Sequence, residues 1–287
     1  MLLSWLLIGF KTDQLFLACL FSVLYLATST SRRFILGFSI FIVYWIIYDY
    51  MKAFPNYAFN LVHIKDLYDA EKSIFGIVQG STLLTPNEFW QQHSFTILDV
   101  LTGIFYLCWI PVPLLFAGYL FYRDKGQFLE FALTFLLVNL LGFVVYYLYP
   151  AAPPWYVQNF GFDFNPATPG NTAGLIRFDQ FFNVHIFSSL YAKGSNVFAA
   201  MPSLHSAYPL IVTYVGIKYR AGWLNAIFVV ITVGIWFAAV YTSHHYVLDV
   251  LAGILTASIG IAGFQWLQKS NRFSRWMNRY RDAITQQ

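Results

Sequence analysis

Hydrophobic positions in this 287-residue chain fall in long unbroken runs, unlike the alternation of a half-buried strand or the stripe of a surface helix. Six runs, at residues 34–51, 95–122, 128–149, 202–217, 223–242 and 246–267, approach or exceed the roughly 20 helical residues that cross a hydrocarbon core. The pattern predicts six membrane-spanning helices. Ahead of them, residues 1–10 and 15–27 are apolar but interrupted by Lys11-Thr12-Asp13-Gln14, which leaves three arrangements open: one further span, a short hairpin or an interfacial helix. No basic stretch precedes that apolar run, so a cleaved signal peptide is not expected.

The polar punctuation is asymmetric. Arg32, Arg33, Arg123, Lys125, Lys218, Arg220 and the tail residues Lys269, Arg272, Arg275, Arg279 and Arg281 all fall on one side of a six-span arrangement, the side expected to be cytoplasmic. The other side holds two long loops, residues 52–94 and 150–201, whose basic residues are Lys52, Lys65, Lys72, Arg177 and Lys193. The first loop contains a candidate interfacial helix around Tyr68-Asp69-Ala70-Glu71-Lys72. The second is rich in Pro, Trp, Tyr and Phe and reads as an ordered cap at headgroup level. The tail, with Trp276 and Tyr280 among its basic positions, is expected to lie on the anionic inner leaflet. The rest of the chain has no basic face, which argues against nucleic acid as a partner.

Composition agrees with the pattern: 58% of residues are apolar and 10% charged, against roughly 45–50% and about 25% in soluble domains. The expected class is all-α and polytopic, with one transmembrane domain over 1–287. It comprises an N-terminal segment 1–30 of open arrangement, a core over 34–267 and a basic cytoplasmic tail over 268–287. Cys19 and Cys108 lie far apart in apolar runs and offer neither a disulfide framework nor metal-ligand spacing.

Three ionisable residues stand at the outer ends of spans. His205 follows Met201-Pro202-Ser203-Leu204, while His245 and Asp249 lie in His244-His245-Tyr246-Val247-Leu248-Asp249. A helix from about His245 puts His245 and Asp249 on one face, where a carboxylate can hold an imidazole N–H. Pro202 suits a first helical turn, so the backbone N–H groups of Ser203 and Leu204 are candidate phosphate donors at a helix N-terminus. Two histidines flanking a phosphate can divide the work, one attacking phosphorus and the other moving the proton.

Pro-Ser-x-His followed about 40 residues later by His-x-x-x-Asp resembles the type 2 phosphatidic acid phosphatase superfamily. The resemblance covers the six-span core. It implies a six-helix membrane fold without a metal or other cofactor, with His245 as nucleophile, Asp249 as its orienter and His205 as general acid and base. Phosphatases of that superfamily also carry a Lys and an Arg before the Pro-Ser element and an Arg six residues before the nucleophile. Here that last position is Ala239, and no Lys-x6-Arg-Pro occurs. A phosphodiester, with one negative charge, needs less compensation than a phosphomonoester with nearly two. The departures match one branch, the inositol phosphorylceramide synthases of fungal type. The match recurs at Ile97-Leu98-Asp99-Val100-Leu101, Ala152-Pro153-Pro154-Trp155-Tyr156, Ala173-Gly174-Leu175-Ile176-Arg177-Phe178-Asp179, Pro202-Ser203-Leu204-His205-Ser206 and Thr242-Ser243-His244-His245-Tyr246. The resemblance implies transfer of inositol phosphate from phosphatidylinositol to ceramide, with diacylglycerol released. The basic-residue asymmetry puts the reaction on the non-cytoplasmic face, on the periplasmic side of a bacterial inner membrane or in a Golgi-type lumen. The chain is shorter than the fungal enzymes, which leaves the exact acceptor and any accessory subunit open.

Each candidate has a plainer alternative. His205 and His245 can be interfacial anchors, and a zinc site drawing on His205, His244, His245 and Asp249 is disfavoured because adjacent helical histidines point about 100° apart. His244 is a weaker substrate-facing candidate. Asp99, near a span end, is a functional candidate or a polar brace. Arg177 and Lys193 are candidates for the donor phosphate, with an Arg177–Asp179 salt bridge as the alternative. Asn196 suits phosphate or inositol binding, or a turn. Trp155 and Tyr156 suit stacking on a sugar ring, or interfacial anchoring. Two other functions share these features. One is a hydrolase of phosphatidic acid or polyprenyl pyrophosphate, and the other is a lipid transporter, suggested by intramembrane polar residues such as Asn139 and Asp99.

Overall fold

The computed structural model describes residues 12–192 and 196–285 together with Leu6 and Gly9. Two helices come first, α1 (Thr12–Ala27) and α2 (Ser29–Tyr50), joined only by Thr28. Thr28 caps α2 by accepting the Ser31 N–H, and the Ser31 hydroxyl oxygen accepts the Thr28 N–H in return. At the far end Gln14 Nε2 donates to Asp49 at 2.6 Å, so the two helices run antiparallel. The second of the two N-terminal apolar stretches, 15–27, thus lies within α1 and packs along α2. Most of residues 1–11 lie outside the described residues.

The first outer loop folds into α3 (Lys65–Phe75), an antiparallel hairpin of β1 (Ile77–Gln79) and β2 (Thr82–Leu84), and α4 (Pro86–Gln92). This hairpin is a small addition to an all-α architecture. The next run, expected as one span, is broken into α5 (Thr96–Leu107) and α6 (Pro111–Arg123), bent by 40°. Pro111 and Pro113 have no N–H to continue the ladder across the break. α7 (Lys125–Leu148) starts at Asp124, which accepts the Gln127 N–H, and ends at the second outer loop. That loop holds α8 (Pro154–Phe160), α9 (Ile176–Phe182) and α10 (Ile186–Ala192). The chain then returns through α11 (Leu204–Lys218), α12 (Leu224–Tyr241) and α13 (Val247–Gln268) and closes with the amphipathic α14 (Asn271–Thr285).

Among the described residues, α2, α7, α12 and α13 are each long and apolar enough to cross a membrane, and the bent pair α5/α6 passes as one broken span. α11, with 15 residues and about 22 Å of rise, is shorter than a full crossing. α7 is the central post, touching α2, α6, α11 and α13. Lipid tails are as apolar as these side chains, so close packing and interhelical hydrogen bonds hold such a bundle. Asn139 shows both. It is fully buried, its Nδ2 donates to Phe135 O on its own helix, and its Oδ1 accepts the Tyr208 hydroxyl from α11 at 2.6 Å. Tyr208 in turn meets the Tyr44 hydroxyl of α2 at 3.1 Å. The polar residue inside the bilayer is a brace between helices.

The basic ends of the helices gather on one side. Arg33 reaches Thr285 O, Tyr280 donates to Leu36 O, and Lys218 pairs with the buried Glu130. α14 packs on α2 and α7 through Met277, Tyr280 and Ile284 and on Phe264 of α13 through Phe273, leaving Arg272, Arg275, Trp276 and Arg279 exposed. On the opposite side the two outer loops are stitched together. His63 and Ala152 exchange backbone bonds with Pro150 and His63, and Ala151 does so with Phe198 and Ala200. Asn56 Nδ2 donates to both Tyr146 O and Phe198 O.

Candidate active site

Two helix N-termini meet beneath the cap. A β-carbon at Gly253 on α13 would overlap the Ser203 carbonyl oxygen, so only glycine lets α13 lie this close to the start of α11. Ser203 N–H then donates to the Asp249 backbone carbonyl at 2.9 Å, joining the start of α11, which carries His205, to the helix that carries Asp249. Of the two N–H groups expected to meet an anion, that of Ser203 is therefore used within the protein. Pro202 precedes the cap, Ser203 is the N-cap, and its side chain takes the Ser206 N–H. Its own N–H is committed to Asp249, and the Leu204 side chain packs against Gly142 of α7.

The turn between α12 and α13 places the second histidine. Ser243 adopts φ +60, and the N–H groups of His244 and His245 both converge on Ala239 O at 3.0 Å. His245 Nε2 lies 3.1 Å from His205 Nδ1. Its other ring nitrogen faces Asp249 Oδ2 at 3.6 Å, close enough for charge to be felt but beyond a hydrogen bond. The same Asp249 oxygen accepts the Tyr246 N–H at 2.8 Å, capping α13. His245 therefore lies in the turn before α13, not on its face as a helix from His245 would place it, and the carboxylate's bond goes to backbone instead of imidazole. Burial lowers the His245 pKa to about 4, so its ring is neutral near pH 7 and carries a free lone pair.

Tyr106 is the residue that pattern reading missed. It is fully buried on α5, its hydroxyl is 3.1 Å from His205 Nδ1, and it receives the Tyr191 hydroxyl of α10 at 3.4 Å. Trp109, at the break between α5 and α6, sets its ring edge-on to His205 with centroids 4.4 Å apart. The break that interrupts the span therefore aims two aromatic side chains at one histidine. A signal was present, since Tyr106 stands two helical turns after Asp99 on the same face.

The other candidates divide. His244 is sandwiched between the rings of Tyr106 and Tyr191, and its Nε2 meets Thr172 O at 3.0 Å, making it a wall of the centre. Among the described residues no three His, Cys, Asp or Glu side chains are grouped as a metal site. Asp99 is a brace: Oδ1 takes Arg177 Nε at 2.5 Å and the Tyr241 hydroxyl at 2.8 Å. Arg177 thus pairs with Asp99 rather than Asp179, whose carboxylate instead caps α10 through the N–H groups of Phe187 and Ser188. The Arg177 guanidinium lies beside Gly174, whose N–H donates to Thr242 O next to the histidine turn, and its Nη2 is buried without a partner. Lys193 lies outside the described residues. Asn196 joins the outer loops through Asn56 Oδ1 and Phe198 N–H, so its amide is used within the cap. Trp155 and Tyr156 are buried in the cap core, with Trp155 N–H on Ser243 O and the Tyr156 hydroxyl on Asp163 O, and neither shows a face to a sugar.

Comparison with known proteins agrees with this geometry. The family model described as PAP2 superfamily matches residues 78–263, more than half of the chain. The phosphoinositol dihydroceramide synthase of Bacteroides thetaiotaomicron is 44% identical over 99% of this chain and 94% of its own length. The inositol phosphorylceramide synthase catalytic subunits of Schizosaccharomyces pombe and Saccharomyces cerevisiae are each 26% identical, over 91% and 82% of this chain. The matches span 61% and 57% of those longer fungal proteins. No solved structure matches the chain. With its paired histidines at the ends of packed membrane helices, the chain belongs to the PAP2 superfamily and is an integral membrane protein.

Proposed function

We propose that this protein moves inositol phosphate from phosphatidylinositol to a ceramide-type acceptor through a covalent phosphohistidine at His245, releasing diacylglycerol. The observation that carries the reading is the 3.1 Å approach of His205 and His245, with the second nitrogen of His245 turned toward Asp249. The name of the Bacteroides relative supplies the substrate class. In the first half-reaction His245 Nε2 attacks phosphorus, the P–N bond forms, and the P–O bond to glycerol breaks. The departing diacylglycerol oxygen takes a proton from protonated His205. In the second, the acceptor hydroxyl returns a proton to His205 while its oxygen forms the new P–O bond and the P–N bond breaks. Asp249 stabilises the positive charge that develops on His245.

Arg177 is the cation proposed for the donor phosphate, through its unpartnered Nη2. A single guanidinium suits a diester with one negative charge, and Ala239, buried where a phosphatase carries arginine, adds none. The transporter reading loses its motive, since Asn139 and Asp99 are both engaged in bracing helices. A hydrolase shares the first half-reaction, and the acceptor assay separates the two. Purified protein given labelled phosphatidylinositol with ceramide is expected to form labelled phosphorylinositol ceramide, and to release little inositol phosphate without it. Equal release of inositol phosphate in both cases contradicts transfer.

The reaction is proposed to face the non-cytoplasmic side, where lipid headgroups reach the span ends while their chains stay in hydrocarbon. In a background lacking Cys19 and Cys108, Asn165→Cys is expected to react with a membrane-impermeant thiol reagent in intact cells, and Asp282→Cys is not. The reverse pattern places the reaction at the cytoplasmic leaflet.

A further inference from the structure

The turn bearing His244 and His245 is held from outside the bundle by two side chains of the first outer loop. Asn87 on α4 is fully buried, and its Nδ2 donates to Val240 O at 2.8 Å and to His245 O at 2.9 Å, the carbonyls on either side of the turn. Glu71 on α3 is also fully buried, and its two oxygens accept the N–H groups of Val247 at 2.9 Å and Leu248 at 3.1 Å. Those N–H groups open α13 and have no partner within the helix. The two side chains thus fix the entry, the exit and the following helix end.

We propose that Glu71 and Asn87 are positioning residues that set the aim of His245 toward phosphorus, acting through the backbone of its turn. The inference rests on the reading of His245 as nucleophile. Neither residue touches the imidazole. Each fixes the peptide groups from which the ring projects, and an error of about 1 Å in an attacking atom can cost about a hundredfold in rate. Asn87 Nδ2 and both Glu71 oxygens are buried on backbone partners, where such bonds are costly to lose, which makes the clamp stiff.

The clamp has a pH signature. Burial and the nearby Asp249 carboxylate raise the Glu71 pKa to about 7, against the opposing pull of the two N–H groups. The groups facing this corner are Asp249 of α13 and its N-cap Tyr246, Glu88 from α4, and Tyr68 and Lys72 on its own helix, with Tyr68 bonded to both Glu88 and Lys72. The ionised carboxylate accepts both N–H groups, whereas a protonated one gives up an acceptor. Turnover is therefore high above about pH 7 and falls as the pH drops through it, well above the region where His245 itself titrates.

The test uses the full-length protein in detergent, with thermal melting to establish folding, and compares Glu71→Gln, Asn87→Ala and Glu71→Asp with wild type and His245→Ala. Glu71→Gln and Asn87→Ala are expected to lower kcat roughly ten- to a hundredfold with KM for both lipids within about twofold. Glu71→Gln should also lose the inflection near pH 7, and Glu71→Asp should restore part of kcat together with the inflection. Folded variants that keep wild-type kcat, or that raise KM alone, overturn the clamp, and His245→Ala tells which reading has failed. If that variant is inactive while the clamp variants turn over normally, only the positioning claim falls. If it is active, the nucleophile falls as well. Should Glu71→Gln not fold, Asn87→Ala carries the same test.

Discussion

Replacing His245 with alanine is expected to lower inositol phosphate transfer by roughly ten-thousandfold or more, because it removes the atom that bonds to phosphorus. The geometry explains why no neighbour should substitute. His205 Nδ1 already faces Tyr106 and His245, and His244 is pinned between two tyrosine rings with its Nε2 on Thr172 O. The loss should appear in kcat for every donor, including one with a good leaving group, since the missing step is attack. Rates of transfer in purified wild type and His245→Ala protein check this, and wild-type activity in the folded variant would remove the mechanism.

His205→Ala is expected to cost about a hundred- to ten-thousandfold with phosphatidylinositol, the range for loss of a general acid. Its signature differs from that of His245→Ala. A glycerol oxygen is a poor leaving group and needs a proton, while a nitrophenolate does not. An aryl phosphodiester of inositol should therefore restore the first half-reaction of His205→Ala and leave His245→Ala inactive. Burst release of nitrophenol measures this directly. Equal loss with both donors would mean that His205 is a structural partner of His245 and not an acid.

The membrane architecture was legible because a bilayer demands length and apolarity, which a linear pattern carries. Five of the six expected spans correspond to helices or a broken pair of that kind, and the sixth, α11, is a shorter helix in the expected place. The break at Cys108–Ile110 was less visible, since two prolines inside an apolar run fit either a kink or an interruption. The paired histidines were legible from motif and spacing, but their surroundings were not. Arg177 illustrates the reason: Asp179 is two residues away, yet the partner is Asp99, brought from 78 residues away by packing of α9 on α5. Asn196, Trp155 and Tyr156 carried plausible ligand chemistry, and the cap consumes it internally. Glu71 and Asn87 resembled ordinary loop residues because what they bind is backbone, which has no sequence signature.

The covalent step is the centre of the account, and the stereochemistry at phosphorus tests it most directly. Phosphatidylinositol made chiral at phosphorus with one sulfur in place of a non-bridging oxygen can be converted to product and its configuration compared with the donor. Two successive in-line displacements, first by His245 and then by the acceptor hydroxyl, predict net retention. Net inversion would mean that the acceptor attacks the donor directly, and would contradict a phosphohistidine at His245.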